Sequence, residues 1–238
     1  NGALVILHIF VMDLGKEVID LGGIKAGGDN YVSCFVNFEE TDYKEPLTLD
    51  TKPFESYASI LSKDDLNRYQ RAMQSYAKNW REEFSVERVT QDLVGELNTF
   101  RYLPLKDVII RGMPNDKLVD VLMTITASKI ARTPATVSIS ADDEKLSVLQ
   151  ALASDDLTLK IQSDEEFVQD MENYDRIRCC SSDLPMSYYD KAAKSGKYIA
   201  TAKPLVEGRL ELLHYLKEQS ISYEYHRYGS FSEEDAVL

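Results

Sequence analysis

Residues 108–140 read VIIRGMPNDKLVDVLMTITASKIARTPATVSIS, and this stretch decides the fold class. It opens with the apolar run 108–110, which is typical of a short buried strand. Asn115 is then placed to cap a helix whose large apolar residues recur on one face. Thr133-Pro134 ends that helix, and residues 135–140 alternate as a strand does. The stretch therefore predicts a strand, a helix and a second strand.

The same alternation of strands and helices continues toward the end of the chain. Ser163 opens a segment with the form of a capping box, and Gly196 is placed to end a later helix. Right-handed crossovers between parallel strands place helices on both faces of a sheet. The sequence therefore predicts an α/β fold, with a Rossmann-like, mostly parallel sheet and helices on both faces. The further strands predicted are residues 157–161, 176–180, 198–200 and 221–228, which makes six in all.

Two helices and a strand-rich N-terminal segment are predicted ahead of this region. Residues 1–46 are strand-like and dotted with glycines. The first helix begins at the N-cap Ser62, and its apolar stripe predicts a core face: Tyr69, Met73, Tyr76 and Trp80. The second helix begins near Ser85 and repeats the helical spacing at Val86, Val89, Leu93 and Leu97.

Composition narrows the class of protein. The 238 residues include 27 Lys and Arg against 40 Asp and Glu, which gives a net charge of −13. This acidic balance disfavours nucleic acids and anionic membrane surfaces as partners. The longest apolar run, residues 3–12, spans about half of a bilayer, so no membrane span is predicted. Three cysteines without a C-x-x-C pair indicate a reducing compartment, so we expect a cytoplasmic protein. The three histidines are too scattered in sequence for a zinc pattern, so no metal site is expected.

A cofactor or nucleophile motif is not evident in the alternating region. No G-x-G-x-x-G follows any of the six predicted strands, and the glycines of residues 22–28 lead into Asp29 rather than into a P-loop lysine. Cys34 lies in a strand-like stretch and is better interpreted as structural than as a nucleophile. The adjacent pair Cys179 and Cys180 is interpreted as core packing.

The densest polar and aromatic cluster closes the last predicted strand. Glu224 is followed there by Tyr225, His226, Arg227, Tyr228 and Gly229. Tyr and Arg are enriched in protein interfaces, so this cluster is a candidate interface or lid as well as a candidate site. The residues alone leave two functions open: an independent nucleotide- or small-molecule-binding module, and an interaction module that uses this cluster.

Four segments, in chain order, resemble one enzyme family. Residues 25–31, KAGGDNY, are similar to the K-A-G-G-P-N-Y segment of bacterial L-glutamate γ-semialdehyde dehydrogenases, also called 1-pyrroline-5-carboxylate dehydrogenases. This family of the aldehyde dehydrogenase superfamily includes the PutA-like proteins of proline catabolism. Residues 95–102, GELNTFRY, resemble the entry to the extra C-terminal domain of its long members. Residues 208–213, GRLELL, and 227–229, RYG, resemble the close of that domain.

The resemblance implies a function for each part of the chain. Lys25, Ala26, Gly27 and Gly28 correspond to a remnant of the substrate-anchoring segment. In the family, the extra domain resembles an NAD-binding domain that has lost cofactor binding, covers the catalytic region and supports oligomer contacts. The parent enzyme uses NAD, but the motifs of its nucleophilic cysteine and catalytic glutamate are absent here. We therefore expect this chain to carry no catalytic residue, to bind no cofactor and to be inactive alone.

The resemblance also implies a domain organisation and partners. Residues 1–46 would be the tail end of a preceding catalytic domain, and residues 47–62 a linker. Residues 63–229 would form the Rossmann-like C-terminal domain, followed by a tail at 230–238. The expected partners are the rest of the parent dehydrogenase and further copies of the chain in a homo-oligomer.

Overall fold

A computed structural model describes residues 16–21, 59–93, 96–153 and 157–224. The chain divides into two compact units. The first comprises Asn1–Phe35, Arg81–Leu103 and Lys217–Leu238, and the second comprises Val36–Trp80 and Pro104–Leu216. Each unit contains one sheet.

The strands and helices are numbered in chain order. The strands are β1 (Lys16–Leu21), β2 (Arg88–Leu93), β3 (Glu96–Pro104), β4 (Val108–Arg111), β5 (Ala135–Ile139), β6 (Thr158–Ile161), β7 (Arg176–Cys179), β8 (Tyr198–Ala200) and β9 (Leu216–Glu224). The helices are α1 (Lys63–Asn79), α2 (Leu118–Ile130), α3 (Leu146–Leu152), α4 (Asp164–Asp170), α5 (Met186–Ser195) and α6 (Gly208–Glu211). A π-helical turn, Trp80–Phe84, follows α1, and 3-10 turns follow α4 (Met171–Asn173) and α6 (Leu212–Tyr215).

The second unit is built on a five-stranded parallel sheet with the order β6-β5-β4-β7-β8. The chain runs outward from β4 through β5 to β6, and then returns to the other side of β4 for β7 and β8. Because right-handed crossovers reverse face when the direction of winding reverses, α2 and α3 lie on one face and α4 and α5 on the other. The predicted α/β class with a Rossmann-like parallel sheet is confirmed.

The core of this unit is packed around the central strand β4. All four residues of β4 are buried, as expected for a central strand covered on both faces. On one face, Ile109, Ile177 and Cys179 pack against side chains of α4, α5 and the turn between β6 and β7. Cys179 and Cys180 are free thiols and both buried, so the core-packing interpretation is confirmed. Burial raises the pKa of Cys179 to about 12, which keeps its sulfur protonated at neutral pH.

Helix α1 begins where its sequence predicts. The Ser62 side chain accepts a hydrogen bond from the Asp65 backbone N–H at 3.2 Å. Tyr69, Met73 and Tyr76 are buried, which confirms the predicted core face for these three residues. Trp80, the fourth, lies in the turn after the helix and is only partly buried. The Tyr69 hydroxyl lies 2.7 Å from Thr126 Oγ1 on α2, so the polar end of the ring is satisfied inside the core.

The first unit contains a four-stranded sheet with the order β1-β9-β3-β2. In it β9 pairs antiparallel with β1, with Val18 opposite Ile221. The prediction that residues 221–228 form a sixth strand of the parallel sheet is therefore wrong for the described part, Ile221–Glu224. Alternation identifies a strand but does not specify its partner, and β1 lies near the opposite end of the sequence.

The helix predicted from Ser85 through Leu97 is also wrong. Most of its described residues lie in the antiparallel strands β2 and β3, in which Leu93 pairs with Glu96. The helical spacing of the apolar residues was coincidental, because Val89 is 60% exposed and lines no buried stripe. The last predicted helix, with Leu210, Leu213 and Leu216, shrinks to α6 and its 3-10 turn, and Leu216 begins β9.

Candidate functional site at the carboxyl edge of the parallel sheet

The carboxyl edge of the five-stranded sheet is where a ligand is expected. In open α/β sheets ligands bind outside the carboxyl ends of the strands, where the strand order reverses. In this sheet the reversal lies between β4 and β7. The side chains at this edge come from the ends of β4 and β5, from the start of α4 and from α5.

Arg111, the last residue of β4, is the centre of a polar network at this edge. Only 2% of the residue is exposed. Its Nη1 donates to Ser138 Oγ at 2.9 Å and to the Gln162 carbonyl at 3.0 Å. Its Nη2 donates to Asp164 Oδ1 at 2.7 Å, and its Nε donates to the Tyr188 hydroxyl at 3.2 Å. The guanidinium is thus held by β5, by the segment from the end of β6 to the start of α4, and by α5.

Asp164 and Tyr188 complete the network through a second hydrogen bond. The Tyr188 hydroxyl donates to Asp164 Oδ1 at 2.5 Å. Partial burial raises the pKa of Asp164, but the hydrogen bonds from Tyr188 and Arg111 outweigh it and hold this pKa below its usual range. Burial and the bond to Asp164 raise the pKa of Tyr188, so its hydroxyl keeps its proton. At neutral pH the cluster is a cation, an anion and a neutral phenol.

A second buried pair ties together the loops that follow β4 and β5. Lys145 Nζ lies 2.9 Å from Asp143 Oδ1 and donates to the Pro114 carbonyl at 3.2 Å. Asp143 also accepts from the Lys145 backbone N–H at 2.9 Å. Both side chains are nearly inaccessible to solvent. In a Rossmann-like fold the turn after the first strand and the acidic residue after the second hold a nucleotide. In this chain the loop after β4 and the loop after β5 are instead joined to each other by the hydrogen bond from Lys145 to the Pro114 carbonyl.

The described edge offers little for covalent or metal chemistry. Cys179, at the end of the neighbouring β7, is protonated and packed in the core. Within the described ranges no three His, Cys, Asp or Glu side chains are grouped so as to hold a metal ion. The guanidinium of Arg111 is suited to binding an anion, and the carboxylate of Asp164 is the anion already bound to it.

The site residues predicted from the sequence lie elsewhere. Lys25, Ala26, Gly27 and Gly28 lie outside the described residues, and so do Tyr225, His226, Arg227, Tyr228 and Gly229. Sequence reasoning missed Arg111 and Tyr188 as partners and treated Asp164 only as part of a helix start. A basic residue directly after a buried apolar run is the one signal that marks Arg111 in the sequence.

Residues 208–213, GRLELL, lie in the part of the chain that the structure describes, and Gly208 and Glu211 make contacts that stabilise the fold. The amide of Gly208 donates to Ser75 Oγ at 2.8 Å, where α6 approaches α1. Glu211 is fully buried and lies 3.0 Å from Arg178 Nη2 on β7. It also accepts from the Tyr215 hydroxyl and from the Leu205 amide. The segment therefore fastens α6 to α1 and to the parallel sheet.

Comparison with solved structures places this fold among known proteins. The structure of Proline Utilization A (PutA) from Corynebacterium freiburgense matches 87% of the chain at 26% sequence identity, with a TM-score of 0.61. The chain has the fold of a segment of that protein. It spans only 18% of that PutA's length. This match supports an aldehyde-dehydrogenase-like region, in agreement with the resemblance in the sequence.

Other similar structures are more distant. A PutA mutant from Bradyrhizobium japonicum matches 59% of the chain at 16% identity, with a TM-score of 0.46, and the chain covers 15% of it. A succinate-semialdehyde dehydrogenase from Burkholderia pseudomallei matches 58% of the chain at 9% identity, with a TM-score of 0.46, and the chain covers 31% of it. No protein-family model and no curated protein sequence matches the chain. In the described ranges no helix has the length and apolar character needed to cross a bilayer.

Proposed function

We propose that this chain is the C-terminal, non-catalytic portion of an NAD-dependent L-glutamate γ-semialdehyde dehydrogenase of proline catabolism. The observation that carries the proposal is the match of 87% of the chain to a segment of PutA. The order of the four sequence segments that resemble the family also supports it. In this proposal NAD belongs to the parent enzyme, which is cytoplasmic.

The carboxyl edge of the sheet supports the non-catalytic part of the proposal. A dinucleotide needs free backbone amides and an uncrowded turn after the first strand. Here the Lys145 ammonium group donates a hydrogen bond to the Pro114 carbonyl, and the guanidinium of Arg111 donates one to the Asp164 carboxylate. A phosphate at this edge would have to displace a carboxylate that already accepts two hydrogen bonds. Binding would therefore lose the free energy of those contacts before it gained any.

The role proposed for the chain is to cover the catalytic region of the parent enzyme and to support contacts between copies. Aldehyde oxidation needs a thiolate nucleophile and a bound nicotinamide. Both buried cysteines have a raised pKa and neither supplies a thiolate at neutral pH. The described part of the chain is thus suited to packing rather than to turnover.

The test is isothermal titration of the purified chain with NAD⁺ at millimolar concentration, with thermal unfolding in parallel. We expect no heat beyond dilution and no rise in Tm, and no turnover with glutamate semialdehyde and NAD⁺. A titration with sodium chloride at matched ionic strength is the control. Saturable heat with a defined stoichiometry would overturn the non-catalytic assignment and favour an independent nucleotide-binding module.

A further inference from the structure

Two hydrogen-bond donors converge on one carboxylate oxygen at the edge of the sheet. Asp164 Oδ1 accepts from Arg111 Nη2 at 2.7 Å and from the Tyr188 hydroxyl at 2.5 Å. The two oxygens of this carboxylate are not equivalent, since Oδ2 has no hydrogen-bond partner among the described residues. The Arg111 side chain is 3% exposed, whereas that of Asp164 is 45% exposed. The two donors, Arg111 and Tyr188, are therefore buried, whereas the acceptor Asp164 is partly exposed at the surface.

The donors are held in place by contacts that do not involve Asp164. Ser138 Oγ and the Gln162 carbonyl fix Nη1 of Arg111, and the guanidinium carbon lies 5.0 Å from the centre of the Phe167 ring. The Tyr188 ring is fully buried and lies 4.8 Å from that of Phe167, centre to centre. We therefore expect the donors to keep this geometry when the carboxylate is removed.

We propose that Arg111 and Tyr188 form a carboxylate-binding site whose resident ligand is the protein's own Asp164. A guanidinium N–H and a phenol O–H both donate charge-assisted hydrogen bonds to a carboxylate, which are stronger than bonds between neutral groups. Because Asp164 is tethered next to them, its effective concentration is high, and it competes with free anions for these two donors. This site does not depend on whether the chain belongs to a dehydrogenase.

The experiment is rescue of an Asp164→Ala variant of the whole chain by formate, the smallest carboxylate. Thermal unfolding is measured in 100 mM sodium formate and in 100 mM sodium chloride, so that ionic strength is constant. Glu165→Ala is the matched control, because it removes the neighbouring carboxylate, which contacts neither donor, and changes the net charge equally. If formate binds with a Kd of about 10 mM, it raises the Tm of Asp164→Ala by roughly 3–6 °C relative to chloride. We expect no such rise in the wild-type chain or in Glu165→Ala.

Two further variants make the result decisive. Asp164→Ala combined with Tyr188→Phe loses one of the two donors, so most of the formate effect is lost. Asp164→Ser is used in the same way if the alanine variant does not fold in chloride, and recovery of a cooperative transition in formate then counts as rescue. Equal Tm values in formate and chloride for both Asp164 variants, or the same rise in Glu165→Ala, would overturn the proposal. Neither result depends on NAD⁺, so this test and that of the proposed function fail separately.

Discussion

Gly208 lies where a side chain has no room. A Cβ at this position would be 2.6 Å from the Ser75 carbonyl oxygen and 2.8 Å from the Tyr76 Cα, and both are backbone atoms of α1. We expect Gly208→Ala to lower the free energy of unfolding by about 1–3 kcal/mol, because one helix must move away from the other. Urea denaturation measures this. Gly112→Ala is the control, since its nearest neighbours are 3.8 Å away; equal stability of the two variants would contradict the prediction.

Glu211 neutralises a guanidinium that has no access to water. Its carboxylate lies 3.0 and 3.1 Å from Arg178 Nη2, and neither side chain is exposed. Glu211→Gln leaves the buried charge of Arg178 uncompensated, and we expect a loss of about 3–5 kcal/mol in the free energy of unfolding. The exposed pair Arg81–Glu82 is the comparison, because Glu82→Gln there should cost less than about 1 kcal/mol. Urea unfolding of both variants measures the difference, and similar losses would show that burial of the pair is unimportant.

Asp164 makes stability depend on pH in a defined direction. Its pKa is lowered in the folded chain, so its contribution is fully present above its unfolded pKa of about 3.9 and is lost as the pH falls through the folded value. The difference in unfolding free energy between the wild type and Asp164→Ser is therefore expected to be constant from pH 7 to pH 5 and to shrink below pH 4. Urea unfolding over this pH range measures it. In a Tyr188→Phe background the difference should vary less with pH, and an unchanged profile would refute the part assigned to Tyr188.

At the level of elements, α4 depends on its capping box. The Ser163 side chain accepts from the Glu166 amide at 3.2 Å, and Glu166 Oε2 accepts from the Ser163 amide at 2.8 Å. Ser163→Ala should cost about 1 kcal/mol of stability. Ser147→Ala, at an exposed position inside α3, should cost almost nothing, because alanine is the better helix former. Chemical denaturation of the two variants separates a cap from an ordinary serine, and equal costs would contradict the assignment.

The elements that the sequence predicts correctly are those with strong local signals. The capping box of α4, the N-cap of α1 and the buried run of β4 each depend on a few neighbouring residues. The hairpin of β2 and β3 was missed because its apolar residues also fit a helical spacing. Their exposure, which depends on the rest of the fold, decides between the two structures.

The candidate site was less predictable than the fold for a related reason. Arg111 and Tyr188 are 77 residues apart in sequence, and a hydrogen bond joins them only because the sheet order brings α5 next to β4. No local pattern contains that information. The sequence itself shows that the usual nucleotide fingerprint is absent, and the resemblance to a dehydrogenase family implied that cofactor binding has been lost. It did not indicate which side chains occupy the edge instead.

For the molecule as a whole, net charge affects the association between copies of the chain. Each copy carries a charge of −13, so two copies repel each other at long range. The association of copies that we propose must then come from local contacts, and added salt should strengthen it by screening the repulsion. Sedimentation velocity at 50 and 300 mM sodium chloride measures this. Weaker association at the higher salt concentration would mean that ion pairs, rather than apolar and aromatic contacts, hold the copies together.

The cluster of Tyr225 and Tyr228 is where we expect those local contacts. Tyrosine buries a large ring at low entropic cost and is enriched among the residues that dominate binding energy. The double substitution Tyr225→Ala and Tyr228→Ala should therefore shift the chain toward the monomer in sedimentation experiments. Met186→Ala is the control, because it removes a side chain that is 71% exposed and belongs to α5. If both variants associate as the wild type does, the cluster is not the interface, and contacts with the parent dehydrogenase become its remaining proposed use.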